Sequence, residues 1–195
     1  MIHITPASSG VFFVFAKAGT LAICAMSHRM SLRPAVSADA SAIAAIYNHY
    51  ILTTTISFEE EAVDAAEIAR RMDAVQGASL PYLIAEEGGV VTGYAYATPW
   101  RVRCAYRTSV ETSVYVQDGL QSRGTGTALY RAVLAQLARD GYHLAIGGIA
   151  QPNAASVALH EKLGFEKVAH FREVGCKFGQ WVDVAYWQLI LQPCH

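Results

Sequence analysis

From Met30 onward, hydrophobic residues recur with a helical period in two successive segments and then with the two-residue period of a strand in three segments. The remaining sequence reads as a helix, a strand, a helix and two further strands. A doubly wound dinucleotide-binding fold would alternate strands and helices more strictly, so this order predicts a mixed α+β domain. No repeat or low-complexity linker interrupts residues 30–195, and we therefore expect them to form one domain.

Periodicity and capping residues predict the individual elements. A strand follows Met30, Ser37 and Asp39 supply helix-start chemistry, and Asp64 opens a capping box that ends at Glu67. The expected buried positions of the first three helices are Ile43, Ile46, Tyr47, Tyr50 and Ile51, then Ile68, Met72 and Val75, then Leu129, Val133 and Leu137. The later strands are expected at 82–86, 90–98, 107–116, 144–149, 165–174 and 181–191, and the last two helices at 124–139 and 153–163.

Length and charge exclude several classes of protein. The chain has 195 residues, with 15 Lys and Arg against 16 Asp and Glu, for a formal net charge of −1. A protein that binds nucleic acid through a broad basic face needs an excess of positive charge, so we expect no nucleic-acid partner. A hydrophobic content of 53% excludes a disordered tail and raises the question of a membrane segment.

The only apolar run that raises this question lies in residues 1–29. Val11–Met26 spans 16 residues and contains Lys17, whereas a membrane-spanning helix needs about 20 apolar residues. No basic residue precedes the run and no clean signal-cleavage site follows it. We therefore interpret residues 1–29 as an extension and expect no membrane partner. A start site assigned too far upstream, a surface-lying segment and an anchor remain the alternatives.

Cysteine and histidine spacing argues against a metal site. Cys24, Cys104, Cys176 and Cys194 lie far apart, without a C-x-x-C pair or a Cys/His ligand pattern. We therefore predict a reduced, cytoplasmic protein that holds no metal ion.

A glycine-rich turn at Gln121–Gly126 connects a strand pattern that ends at Val116 to the next helix. Its sequence is Gln-Ser-Arg-Gly-Thr-Gly. The first N–H groups of a helix lack carbonyl partners, and the helix dipole favours an anion there. The turn fits neither a Walker A loop nor the dinucleotide-binding glycine pattern. It therefore indicates either a phosphate-binding loop, to which Arg123 adds charge, or a tight turn with a helix cap.

Four segments of the sequence resemble the GNAT N-acetyltransferases. Residues 121–126 match that family's [RQ]-x-x-G-x-[GA] signature, and the predicted element order is that of the family. Residues 99–116, 152–165 and 177–188 are similar to its phosphinothricin and methionine sulfoximine N-acetyltransferase branch. The resemblance runs from about Ser31 to Leu191. It implies a mostly antiparallel, twisted sheet of about six to seven strands, flanked by about four helices, with a strand splay for acetyl-CoA.

The resemblance also implies where acetyl-CoA binds. Its pyrophosphate would lie on the glycine-rich turn and its pantetheine would pair with the preceding strand. Asn153 matches a coenzyme-contacting asparagine of the family, although it is also a sound helix N-cap. The implied coenzyme-binding residues are Val114, Tyr115, Val116, Gln121, Ser122, Arg123, Gly124, Thr125, Gly126 and Asn153.

Two residues match the catalytic positions of the family. Glu111 corresponds to the catalytic carboxylate, and desolvation in a hydrophobic strand would raise its pKa toward that of a useful base. The alternative is a residue that faces solvent. His160 lies seven residues after Asn153, two turns along the same helix face. Its role as acid, base or substrate contact is open. We expect Tyr115 and Tyr130 to be packing residues.

Arg101 and Arg103 alternate with Val102 and form a candidate clamp for an acidic group on the acceptor, unless they are solvated surface residues. The resemblance implies acceptor contacts at Arg101, Val102, Arg103, Glu111, Thr112 and Ser113, and a homodimer. We predict acetyl transfer from acetyl-CoA to the primary amine of a small amino-acid-like acceptor such as phosphinothricin or methionine sulfoximine. No cysteine lies in the motif region, which favours direct attack in a ternary complex. Another small amine, a protein N-terminus, or a non-catalytic acyl-CoA-binding module are the alternatives.

Overall fold

The computed structural model describes residues 30–192, so the predicted extension at residues 1–29 lies outside the described residues. Seven strands and four α-helices follow one another along the chain. They are β1 (Ser31–Pro34), α1 (Ala40–Thr53), α2 (Ala65–Gly77), β2 (Tyr82–Glu87), β3 (Val90–Pro99), β4 (Ser109–Val116), α3 (Thr125–Arg139), β5 (Leu144–Gln151), α4 (Ala154–Lys162), β6 (Glu166–Lys177) and β7 (Gln180–Ile190). The element order is the predicted one.

The seven strands form one sheet in the order β1-β2-β3-β4-β5-β7-β6. The contact between β4 and β5 is parallel, and the other neighbouring pairs are antiparallel. This confirms the mixed α+β class. The parallel contact is short, because Ser109–Glu111 of β4 pair with Leu144–Ile146 of β5 and the register ends there. Both strands continue past this point and diverge, which creates the predicted splay.

The helices pack on the sheet through the predicted residues. All the expected inward positions of α1, α2 and α3 are buried. At the start of α2, Oδ1 of Asp64 accepts a hydrogen bond from the Glu67 amide at 2.8 Å. The Glu67 carboxylate, however, binds Arg70 and Arg71. The hydrogen bond from the Glu67 amide to the Asp64 side chain, one of the two bonds of a capping box, is therefore present. The Glu67 side chain forms ion pairs in place of the second bond, to the Asp64 amide.

Several element boundaries differ from the prediction by one to three residues, and two of these shifts have a clear local cause. β4 begins at Ser109 rather than near Arg107, because Cys104–Tyr106 form a 3₁₀ turn. α3 begins at Thr125, because Gly124 has φ +90° and lies outside the right-handed helical region. Only glycine adopts this conformation without strain, so the glycine ends the loop and starts the helix.

Alternate residues of β4 face opposite helical layers. The Tyr115 ring packs edge-on against Tyr47 of α1, with 5.1 Å between ring centroids. Thr112 lies three positions before Tyr115, so its side chain points to the other face of the strand. Its hydroxyl lies 2.6 Å from the hydroxyl of Tyr130 in α3. Glu111 and Ser113 therefore face the layer of α1 and α2, whereas Thr112 faces the layer of α3 and α4. Among the described helices, none is both long and apolar enough to cross a membrane.

Candidate active site

A cavity of 450 Å³ opens where β4 and β5 separate. Its walls come from the second half of β4, the loop before α3, one side of α4, and Tyr50 and Ile56 at the end of α1 and just beyond it. The residues that line it are Tyr50, Ile56, Val114, Tyr115, Val116, Leu120, Gln121, Ser122, Gly124, Gly126, Thr127, Asn153, Ala155, Ser156, Ala158, Leu159 and Lys162. Eight of the ten predicted coenzyme-binding residues are in this set, although they come from three separate segments of the chain.

The N-terminus of α3 faces the cavity. Gly124 caps the helix, and the first intrahelical bond runs from the Ala128 amide to the Gly124 carbonyl at 2.9 Å. The amides before Ala128 have no carbonyl one turn behind them, so they can bind an anion. A Cβ on Gly126 would lie 3.5 Å from Val116, and any longer side chain there would fill the cavity. This glycine-lined helix start suits a phosphate group.

Two predicted coenzyme contacts lie away from the cavity wall. Thr125 is buried, and its methyl group points toward Gly93 of β3. Arg123 is exposed on the loop and is not part of the lining. Lys162, which the sequence interpretation missed, supplies a cationic side chain to the lining instead. Its spacing from Ala155, seven residues along the helix, places both on the side of α4 that lines the cavity.

Asn153 caps a helix and also lines the cavity. Its Oδ1 accepts a hydrogen bond from the Ser156 amide at 3.0 Å, so it caps α4. It also lines the cavity. The two roles are compatible, because a helix cap stands at the N-terminal end that faces the ligand space.

Glu111 is half-buried at the last position of β4 that pairs with β5, directly before the splay. A Cβ placed on Gly148 would lie 3.2 Å from its Oε1 and 3.1 Å from the Tyr186 ring, so the carboxylate lies against β5 and β7. Burial raises the pKa of Glu111, while the positive charge of Arg101 opposes this rise. A carboxylate in this setting can accept a proton at a higher pH than an exposed one.

The predicted acceptor contacts divide between the two faces of the sheet. Ser113 lies on the Glu111 face, and the Arg101 guanidinium lies 4.7 Å from the centre of the Trp100 ring. Val102 is fully exposed, and Arg103 precedes the 3₁₀ turn with its side chain in solvent. The Thr112 side chain is buried on the opposite face, so it does not share a surface with Glu111.

A second cavity, of 280 Å³, lies on the Glu111 face beside α2. Tyr82, Tyr94 and Tyr96 stack along one of its walls, with 5.0–6.1 Å between ring centroids. Thr98 also lines this cavity and is the cross-strand partner of Glu111. The tyrosine-lined space is therefore next to the carboxylate.

His160 is buried on the other face of the sheet, at 4% exposure. Its Nε2 lies 2.9 Å from the Tyr130 hydroxyl, and its Nδ1 lies 2.7 Å from the Ser156 carbonyl. Burial lowers the pKa of His160, although the bond to Ser156 opposes this shift. Tyr130 packs in the core as predicted, with its ring stacked on Phe165, but its hydroxyl is also a hydrogen-bonding centre.

The sequence interpretation did not include Gly147 and Gly148, which make room for both candidate catalytic residues. A Cβ on Gly147 would lie 2.3 Å from His160 Nε2. Consecutive glycines inside a strand weaken it and mark a close approach of another group, and this signal was available in the sequence. Within residues 30–192, no three His, Cys, Asp or Glu side chains are grouped as metal ligands.

Comparison with known proteins places this geometry in a family. The Acetyltransferase (GNAT) domain family matches residues 32–186. The L-methionine sulfoximine/L-methionine sulfone acetyltransferase of Salmonella typhimurium is 41% identical over 162 residues, which cover 83% of this chain and 95% of that protein. The phosphinothricin N-acetyltransferase of Streptomyces viridochromogenes is 40% identical, over 82% of this chain and 86% of that protein.

Solved structures agree with these sequence relationships. An acetyltransferase of Salmonella typhimurium, solved with its cofactor acetyl-CoA, has a TM-score of 0.84 and 40% identity, over 86% of this chain and 96% of that one. A GNAT superfamily phosphinothricin acetyltransferase of Sinorhizobium meliloti, in complex with acetyl-CoA, has a TM-score of 0.80 and 36% identity, over 83% and 88%. The fold is thus that of solved acetyltransferases, and the chain belongs to the GNAT acetyltransferase family.

Proposed function

We propose that this enzyme transfers the acetyl group of acetyl-CoA to the primary amine of a small amino-acid-like acceptor. Phosphinothricin and methionine sulfoximine, after which two relatives are named, are the first candidates. The observation that carries the proposal is the position of Glu111. This half-buried carboxylate belongs to the last residue of β4 that pairs with β5, where the splay and its 450 Å³ cavity begin.

The cavity lining supports acetyl-CoA as the acyl donor, which when bound supplies the acetyl group as a thioester. The N-terminus of α3 and Lys162 suit its phosphates. Val114–Val116 line the cavity and do not pair with β5 in the described register, so the backbone edge on that side can pair with an extended ligand. The Val116 carbonyl already accepts a hydrogen bond from the Tyr50 hydroxyl at 2.6 Å. The apolar side chains of Leu120 and Leu159 suit the linear arm of the coenzyme.

Glu111 is the proposed general base. An amino group attacks only as the neutral amine, so a proton must leave the incoming ammonium. The raised pKa of Glu111 brings its carboxylate closer to the basicity that this step needs, and the proton passes to it directly or through water. In the described region, Cys104 and Cys176 are both exposed and neither lines the cavity, which favours direct attack by the amine in a ternary complex.

The acceptor would occupy the Glu111 face of the sheet. Arg101 lies close enough to lower the pKa of Glu111 and can also attract an acidic group of the acceptor. Ser113 and the tyrosine-lined cavity offer polar and aromatic surfaces beside it. Arg71 in that cavity is already paired with Glu59 and Glu67, so it adds little net charge. An acceptor with an acidic group beside its amine fits these charges.

The test is thiol release from acetyl-CoA in the presence of a panel of amines. The panel contains phosphinothricin, methionine sulfoximine, methionine sulfone, several unmodified amino acids and a peptide with a free N-terminus, with calorimetric titration of acetyl-CoA in parallel. We expect turnover with a small amino-acid analogue. Coenzyme binding without turnover of any amine would contradict the proposal and favour a non-catalytic acyl-CoA-binding module. Turnover of the peptide alone would assign protein N-termini as acceptors.

We further propose that the enzyme is a cytoplasmic homodimer. Exposed cysteines at 104 and 176 suit a reducing compartment. β6 is an edge strand that exposes Val168, Phe171 and Val174 at 51–57%, and a second copy of the chain would cover this surface. Light scattering coupled to size exclusion should give twice the chain mass, and Phe171→Glu should shift the protein to monomer. A monomeric parent protein would contradict this proposal.

A further inference from the structure

The backbone pairing of β4 with β5 ends at Glu111 and Ile146, and side chains continue the connection. The next residue of β4, Thr112, places its hydroxyl 3.2 Å from the Ile146 carbonyl and 2.6 Å from the Tyr130 hydroxyl. Tyr130 belongs to α3, so a helix side chain enters the sheet where the ladder of backbone hydrogen bonds stops.

The hydrogen bonds continue from Tyr130 to α4. Because a carbonyl only accepts, Nδ1 of His160 must donate to the Ser156 carbonyl at 2.7 Å. Nε2 of the neutral ring is then an acceptor, and the Tyr130 hydroxyl donates to it at 2.9 Å. The single proton of the Thr112 hydroxyl consequently goes to the Tyr130 oxygen at 2.6 Å, and the Ile146 carbonyl at 3.2 Å receives only a share of it in a bifurcated bond. We call Thr112, Tyr130, His160 and Ser156 the splay network.

Burial makes this network rigid. Tyr130 is fully buried, and Thr112 and His160 are each 4% exposed, so water cannot readily replace a lost partner. The Tyr130 ring is held between Phe165, stacked at 5.7 Å, and the His160 ring, edge-on at 5.0 Å. The Tyr130 side chain therefore fixes the distance between the Thr112 hydroxyl and Nε2 of His160, because both bond to its hydroxyl.

The two ends of the network contact the two strands that diverge. Thr112 is part of β4. At the other end, His160 lies so close to Gly147 of β5 that an added Cβ would be 2.3 Å from Nε2. Gly147 immediately follows Ile146, the last residue of β5 that pairs with β4. Tyr130 and His160 thus occupy the wedge between the strands at the position where separation begins.

We propose that Tyr130 is a positioning residue of acetyl transfer: its hydroxyl, bonded to Thr112 and His160, sets the opening of the splay that receives acetyl-CoA. The proposal rests on the proposed function in one respect, that acetyl-CoA occupies the splay. Ser156 extends the effect to the cavity wall, because it receives the His160 hydrogen bond and lines the cavity. His160 acts here through Tyr130, on the face of the sheet opposite Glu111.

The first test compares Tyr130→Phe with the parent full-length protein. The variant keeps the ring and removes the hydroxyl, so the stacking on Phe165 survives. We expect the Kd for acetyl-CoA to rise about 3–10-fold, the range for loss of one or two buried hydrogen bonds. We also expect kcat with the best amine to fall by a similar factor. Tyr142→Phe, which removes a half-buried hydroxyl away from the cavity, is the matched control and should leave both values unchanged.

The second test changes the other end of the network. Thr112→Val removes the hydroxyl at nearly constant shape and should weaken acetyl-CoA binding as Tyr130→Phe does, whereas Thr112→Ser should restore it. The Thr112→Val/Tyr130→Phe double variant should bind more tightly than additivity predicts, because the two hydroxyls bond to each other. If Tyr130→Phe does not fold, the comparison of Thr112→Val with Thr112→Ser still shows whether the hydroxyl network affects acetyl-CoA binding.

Equal acetyl-CoA affinity and kcat in the parent, Tyr130→Phe and Thr112→Val would overturn the proposal, as would equal losses in Thr112→Val and Thr112→Ser. Coenzyme titration does not depend on the acceptor. Failure of every amine to react would therefore overturn the proposed function while the binding comparison still decided the role of Tyr130.

Discussion

Glu111 and His160 lie against neighbouring glycines of β5 but on opposite faces of the sheet. A Cβ added to Gly148 would lie 3.1 Å from the Tyr186 ring and 3.2 Å from Oε1 of Glu111. A Cβ added to Gly147 would lie 2.3 Å from Nε2 of His160. Successive residues of a strand point to opposite sides, so the strand separates the two groups. We therefore expect proton abstraction from the acceptor to depend on Glu111 and not on His160, and the two side chains can be tested independently.

Glu111→Gln should lower kcat about 10²–10⁴-fold, the usual contribution of a general base, because the amide cannot accept the ammonium proton. The Kd for acetyl-CoA should stay within about twofold, since Glu111 does not line the coenzyme cavity. Steady-state kinetics and calorimetry give both numbers. Glu166→Gln, an exposed carboxylate on β6, is the control. An unchanged kcat would remove Glu111 as the base.

The acid limb of kcat/KM against pH should lie above the ordinary glutamic acid pKa of 4.5, because burial raises the pKa of Glu111. Arg101 opposes this rise, so Arg101→Ala should move the limb to still higher pH. Arg139→Ala, at the far end of α3, should leave it in place. A limb that moves equally in both variants would show that Arg101 does not act on Glu111.

The two glycines should respond differently to an added methyl group. Gly147→Ala forces a 2.3 Å contact with the buried His160 ring, and we expect a loss of about 1–3 kcal/mol in unfolding free energy. Gly148→Ala makes contacts of 3.1 and 3.2 Å beside Glu111 and Tyr186, so its main effect should be on kcat. Urea unfolding and steady-state kinetics of the same samples distinguish them. The reverse order of stabilities would contradict the placement of His160.

Stability should decrease as the pH falls below about 6.5, in part because of His160. The pKa of His160 in the folded protein is lowered by burial from 6.5, so the unfolded chain binds more protons in this range. The slope from one such group is at most about 1.4 kcal/mol per pH unit. His160→Gln should flatten the dependence measured by urea unfolding between pH 7.5 and 5.5. An identical slope in the variant would assign the effect to other groups.

A protein that starts at Met30 should retain the domain. Every described secondary-structure element follows Met30, and the family match begins at residue 32. We therefore expect unchanged acetyl-CoA affinity, kcat and melting temperature relative to the full chain. Loss of soluble expression or activity in the shorter protein would assign residues 1–29 a structural or anchoring role.

Local pattern in the sequence was sufficient to predict most of the secondary structure. The stripe that includes Ile43, Tyr47 and Tyr50 repeats within one helix, so its burial depends on neighbours three or four positions away. The glycine-rich turn before α3 was equally visible, because glycine conformation and helix-terminal amides are local properties. The family resemblance identified Glu111 as a candidate catalytic residue. The two-residue period of β4 predicts that Ser113 lies on the same face of the sheet as Glu111.

The tertiary structure alone decided which of these residues meet. Thr112 and Tyr130 are 18 positions apart and Tyr130 and His160 are 30 apart, so their hydrogen bonds depend on how α3 and α4 pack on the sheet. The same packing buries His160 on the face of the sheet opposite Glu111. It also places Lys162, and not Arg123, in the cavity lining, and it buries the Thr112 side chain on the face opposite the proposed acceptor. Periodicity determines which side of an element is apolar, but only the paired and packed layers determine which polar groups on those sides come within hydrogen-bonding distance.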